Sequence, residues 1–184
     1  MAPPACWEEA CSLRPIMTMA RWQALLNISV HYYFNFCFCR RRRKKQLIGI
    51  ILAGHGGYPG GLLNAAQMLL KDIRQMKAVS LLEGESGESY LKELRDALGE
   101  VEDGDGTLIL ADFVGGTPCN CATQLVTESV RLIAGMNMQF LLEAIVSREE
   151  INDPKALVQE CLVSSRLGFQ DLSQIILEKR KEEE

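Results

Sequence analysis

The chain has 184 residues, enough for one full hydrophobic core and short for two. Hydrophobic residues make up 47% and charged residues 24%, an ordinary globular composition that argues against a fibrous or low-complexity protein. The net charge of −4 is unevenly placed. Eight of the 20 Lys/Arg but only two of the 24 Asp/Glu fall in residues 1–46, so the remainder is acidic and a poor partner for nucleic acid.

The first 46 residues differ in character from the rest. Trp22–Cys39 is apolar and aromatic but interrupted by Gln23, Asn27, His31 and Asn35, and the basic run Arg40–Lys45 follows at once. A membrane anchor with a cytoplasmic basic flank has this layout. The stretch falls short of the roughly 20 largely apolar residues that span a bilayer, and polar residues near its middle add cost. The favoured expectation is an atypical, poorly ordered extension, as translation from an upstream start codon would produce, with a solvated basic flank. The seven cysteines are odd in number, and no cleavable signal peptide precedes them. A reducing cytosol is therefore expected.

From Leu47 the pattern alternates between apolar runs and amphipathic segments. LIGIILAG reads as a first buried strand ending in glycine. GLLNAAQMLL then places Leu62, Leu63, Ala66, Leu69 and Leu70 at helical spacing. KAVSLLEG is a second strand, and SYLKELRDALG a second helix carrying Tyr90, Leu91, Leu94, Ala97 and Leu98 on one face and stopped by Gly99. GTLILADF is a third strand. TPCNCATQLVTE opens a third helix with Thr117 as N-cap and Pro118 in the first helical position. RLIAGMN is a fourth strand and MQFLLEAIVSRE a helix. The segment from Asn152 to Ile176 begins on the cap-plus-proline pair Asp153–Pro154 and is helical for most of its length. The charged tail over 179–184 is expected to fray. Continuously apolar strands alternating with helices mean an α/β fold: a mostly parallel open sheet, order 2-1-3-4 plus an extra strand, covered by helices on both faces. The domain is placed at residues 47–178.

In such sheets ligands sit beyond the carboxyl ends of the strands. His55 follows the first strand and Asp112 closes the third, so the order 2-1-3-4 makes them neighbours. A carboxylate on one ring nitrogen fixes the tautomer and frees the other nitrogen as a nucleophile. GGTP leads into a helix whose first amides, with the Thr117 hydroxyl, suit an anion. Gly115 and Gly116 on that side, and Gly56 and Gly57 on the other, allow close backbone approach. Histidine, orienting acid and phosphate cradle converge on one edge.

The residues that carry this chemistry also carry a resemblance. IGIILAGHGG, then ADFVGGTPCNCA, then RLIAGMN are similar to the IIA domain of the mannose (mannose/fructose/sorbose) family of the bacterial phosphoenolpyruvate-dependent sugar phosphotransferase system. The resemblance runs from about Leu47 to Leu172. It implies that His55 accepts a phosphoryl group from the phosphocarrier HPr and passes it to a histidine or cysteine of a IIB component, with IIC and IID in the membrane. It maps the family's ring-bonding aspartate onto Asp112 and its small hydroxyl residue onto Thr117. It also implies a cytoplasmic homodimer, and no cofactor or metal beyond phosphoryl derived from phosphoenolpyruvate. The family has no counterpart of the first 46 residues, and IIB is expected as a separate polypeptide.

Two other readings compete. One is a phosphohistidine donor subunit for a dihydroxyacetone kinase, although such relatives carry serine where this chain has Gly56. The other is a non-catalytic anion-binding α/β module; no P-loop occurs, and Pro59 interrupts the weak glycine match to a dinucleotide fingerprint. Among the remaining residues, His31 has no partner at ligand spacing. Cys37/Cys39 and Cys119/Cys121 are too closely spaced for a metal site and read as small thiols. Met136 and Met138 read equally as core or site mouth. Glu83, Glu85 and Glu88 read as a solvated acidic loop. Tyr58 and Phe113 read as exposed contacts for partners.

Overall fold

The computed structural model describes residues 46–70, 73–166 and 170–182. The run Trp22–Cys39, His31, and the basic stretch Arg40–Lys45 lie outside them. Four parallel strands, β1 (Gly49–His55), β2 (Met76–Leu81), β3 (Thr107–Ala111) and β4 (Val130–Ala134), form one sheet in the order β2-β1-β3-β4. The helices are α1 (Tyr58–Leu69), α2 (Gly87–Val101), α3 (Thr117–Thr123), α4 (Met138–Ser147), α5 (Pro154–Arg166) and α6 (Leu172–Glu182). The expected order is observed; among the described residues the sheet has these four strands and no extra one.

Alternation along β1 explains the two layers. Ile48, Ile50 and Leu52 point to one face, where they pack with Leu62 and Ala66 of α1, Phe140, Leu141 and Ala144 of α4, and Leu157 and Cys161 of α5. Ile51 and Ala53 point to the other, against Tyr90, Leu94 and Ala97 of α2 and Cys121 and Ala122 of α3. Both faces of the central strands are therefore dry, and each fully buried aliphatic side chain contributes about 1.5–3 kcal/mol through removal from water.

Several boundaries differ from expectation, each for a local reason. α1 starts at Tyr58, three residues early, because Pro59 fits a first turn where no amide donor is needed. Leu69, expected on its buried face, is exposed. α2 runs through Gly99 to Val101, which is buried against Gly49; a methyl on Gly49 would stand 2.7 Å from the Val101 side chain and its carbonyl. Gly116, not Thr117, is the N-cap of α3, so Thr117 takes the first helical position and Pro118 the second. The C-terminal segment forms two helices rather than one, and α6 extends helix into the tail as far as Glu182. Asp153 caps α5 as expected, accepting from the amides of Lys155 (3.2 Å) and Ala156 (3.1 Å).

At the amino ends of β1 and β2, away from the edge that carries His55, sits a buried arginine. Arg148 donates to the carbonyls of Ile48 (2.8 Å), Arg74 (2.6 Å) and Gln75 (3.4 Å). Burial pulls its guanidinium down to about 10. It ties the start of the sheet to the end of α4.

Candidate active site

β1 and β3 are in register from Gly49↔Thr107 to Ala53↔Ala111, and the Asp112 amide still donates to the Ala53 carbonyl (3.1 Å). The register therefore carries His55 and Asp112 to the same end of adjacent strands. Asp112 Oδ2 accepts from both the His55 backbone amide (2.9 Å) and Nδ1 of its ring (2.6 Å). Asp112 Oδ1 accepts from the Phe113 amide (2.8 Å). The approach is close enough that a Cβ on Gly54 would lie 3.1 Å from Asp112 Oδ2.

The two side chains differ in exposure. Asp112 is 8% exposed and the His55 ring 43% exposed. Burial pushes the Asp112 carboxyl upward, but hydrogen bonds from the His55 ring, the His55 amide and the Phe113 amide outweigh it and hold the group below its ordinary value. An ionised carboxylate only accepts, so Nδ1 carries the proton in this bond and Nε2 is the ring nitrogen left outside it. Nε2 has no hydrogen-bond partner among the described residues.

The glycines and Thr117 occupy distinct places. Gly56, directly after His55, adopts φ +54, a conformation that a side chain would strain, and its amide is already spent on the Leu81 carbonyl at the end of β2 (2.9 Å). The Gly115 carbonyl accepts from Asn120 Nδ2 (3.1 Å). Gly116 is buried against the ring: a Cβ there would stand 3.0 Å from His55 Cε1 and 2.8 Å from Phe113 Cζ. The Thr117 hydroxyl is exposed and makes no hydrogen bond within the described residues, so it caps nothing.

Two features were not legible in the sequence. The Phe113 ring, read there as an exposed partner contact, is exposed and also stacks on the His55 imidazole, with centroids 5.3 Å apart and planes 15° from parallel. An aromatic directly after the closing aspartate was the available signal. The Tyr58 hydroxyl donates to the Met136 carbonyl (2.6 Å), pinning the start of α1 to the loop after β4. Met136 itself is core, and Asn137 caps α4 by accepting from the Phe140 amide (2.9 Å). Glu83 and Glu88 are solvated, while Glu85 folds back onto the Leu82 amide (3.1 Å). Cys119, Cys121 and Cys161 are free and buried. Burial pushes the Cys161 thiol up to about 12 and Cys121 upward too, the inert state of packed thiols.

The fold and site define a parallel α/β protein that presents one nitrogen of an oriented histidine at the carboxyl edge of its sheet. Residues 49–161 match the family model described as the PTS system fructose IIA component, EIIA-man. The fructose-specific EIIA component of Bacillus subtilis is 31% identical over 122 residues, covering 62% of this chain and 84% of that protein. The mannose-specific EIIAB component of Escherichia coli is 29% identical over 134 residues, covering 72% of this chain and 42% of that longer protein. Among solved structures, the phosphotransferase system component EIIA of Streptococcus agalactiae superposes with a TM-score of 0.64 at 27% identity, covering 70% of this chain and 99% of that one. The mannose/sorbose-specific IIA subunit of Enterococcus faecalis gives 0.61 at 26%, covering 68% and 94%. The chain belongs to the IIA component family of the sugar phosphotransferase system.

Proposed function

We propose that this protein relays a phosphoryl group in sugar uptake, with Nε2 of His55 as the carrier atom. The observation that supports it most strongly is the 2.6 Å bond from His55 Nδ1 to a carboxylate held ionised by three hydrogen bonds. The donor is phospho-HPr. Its P–N bond breaks as the Nε2–P bond forms, the electron pair returning to the donor nitrogen. Nδ1 keeps its proton, the ring becomes formally positive, and Asp112 lies against that charge. Gly115, Gly116 and Thr117 serve the phosphoryl oxygens through backbone amides and the unpaired Thr117 hydroxyl, while Gly56, whose amide is held by the Leu81 carbonyl, contributes open space beside the ring rather than a donor. Onward transfer reverses the chemistry toward a nucleophile on a IIB component, itself working with IIC and IID. No cofactor is required, since every proton and charge in the step is handled by these side chains. A half-exposed ring at a strand end suits a carrier that meets two partners in turn. The reading places the protein in the cytoplasm as a homodimer.

The test is transfer of labelled phosphoryl from phosphoenolpyruvate through enzyme I and HPr. Wild type is labelled and His55→Ala is not, and the label is lost in acid and kept in base. A folded wild type that takes no label overturns the relay and favours reversible anion binding.

A further inference from the structure

We propose that Phe113 is a positioning residue for His55, holding the imidazole so that Nε2 alone faces solvent and favouring the ring when it is positively charged. The proposal rests on the reading of His55 as a phosphoryl carrier. Three contacts bound the imidazole. Asp112 meets Nδ1 at 2.6 Å, the Phe113 ring covers one face at 5.3 Å and 15°, and Gly116 lies against Cε1 with no room for a side chain. Asp112 alone leaves the ring free to swing about its hydrogen bond. A stacked aromatic restricts that swing, because tilting the imidazole breaks the offset-stacked contact.

Phe113 is itself fixed. Its amide donates to Asp112 Oδ1 at 2.8 Å, so the residue that holds the acid also lays its ring over the histidine. The stack closes over Gly116, where a Cβ would come within 2.8 Å of Phe113 Cζ and 3.1 Å of Cε2. Phe113 is 54% exposed, so the core does not hold it in place; its ring contacts are made at the site. When Nε2 takes the phosphoryl group and Nδ1 keeps its proton, the positive ring lies against the electron-rich face of Phe113. The stack then stabilises the carrier form along with Asp112.

Partner docking has to be separated from positioning, because an exposed phenylalanine can serve both. Phosphoramidate, a small phosphoryl donor with no docking surface, makes the separation. Wild type, Phe113→Leu and Phe113→Tyr are compared for the rate of His55 phosphorylation by phosphoramidate and by phospho-HPr. NMR chemical shifts of the unphosphorylated His55 ring protons are recorded in parallel. Phe113→Leu is expected to lose the ring-current shift and to react with phosphoramidate about 5- to 10-fold more slowly, with Phe113→Tyr restoring both. With phospho-HPr the loss is expected in kcat. Equal phosphoramidate rates in wild type and Phe113→Leu overturn the proposal alone, as does a change confined to KM for HPr. A wild type labelled by neither donor overturns the relay and the proposal with it, even where the NMR shift confirms the stack.

Discussion

Both oxygens of Asp112 are engaged, Oδ2 by the ring and amide of His55 and Oδ1 by the amide of Phe113. An amide in its place turns one acceptor into a donor and sets the histidine in the wrong tautomer. Asp112→Asn is expected to slow phosphoryl acceptance by about 10²- to 10⁴-fold at unchanged fold, measured in the HPr assay. The same bonds predict a pH dependence. The folded carboxyl lies below its ordinary value, so its contribution to stability is complete above about pH 4, where the unfolded group is also ionised, and is lost as pH falls through the folded value. The difference in urea stability between wild type and Asp112→Asn should therefore shrink as the pH falls below about 4. Gly116→Ala drives a methyl into His55 Cε1 and Phe113 Cζ. It should lower phosphorylation and also lower the unfolding midpoint modestly, because alanine is a poorer N-cap for α3 than glycine. The His55–Asp112 pair was legible in the sequence because both residues end apolar runs whose strands the fold class makes neighbours. Thr117 was misplaced by one residue because a glycine with extended backbone caps a helix as well as a hydroxyl does. Phe113 was half read: its exposure followed from its loop, but its stacking depends on a turn that spacing does not reveal.

Helices and strands were legible where the pattern was long and periodic, and less so at their ends. Gly99 marks a stop by composition, yet α2 continues because Val101 gains burial against Gly49, and that packing outweighs the cost of one helical glycine, about 1 kcal/mol. Leu69 shares by spacing the face of Leu62 and Ala66, but it is the last residue of α1 and is exposed there. The start of α6 did carry a signal: Asp171, shortly after Gly168, accepts from the amides of Ser173 (3.0 Å) and Gln174 (3.2 Å), but the apolar spacing running across the segment hid it. α2 also supplies a testable bond. Tyr90 is fully buried, its hydroxyl donates to the Val79 carbonyl of β2 (3.0 Å), and burial pushes the phenol upward. Tyr90→Phe keeps the ring and removes the bond, and is expected to cost about 0.5–1.5 kcal/mol by urea denaturation.

At the scale of the molecule, the family match covers residues 49–161. A chain beginning at Gln46 is therefore expected to unfold at the same urea midpoint as the whole protein and to accept phosphoryl at the same rate. A loss of either would assign residues 1–45 a part in the domain. Among the described residues no helix is long and apolar enough to cross a membrane. The central claim is that His55 carries phosphoryl on the nitrogen that Asp112 leaves free. The most direct measurement is ³¹P and ¹⁵N NMR of the protein after phosphorylation through HPr, with histidine labelled at both ring nitrogens. Phosphorus coupled to Nε2 of His55 is expected, with Nδ1 still protonated. Phosphorus on Nδ1, or on any residue other than His55, would contradict it.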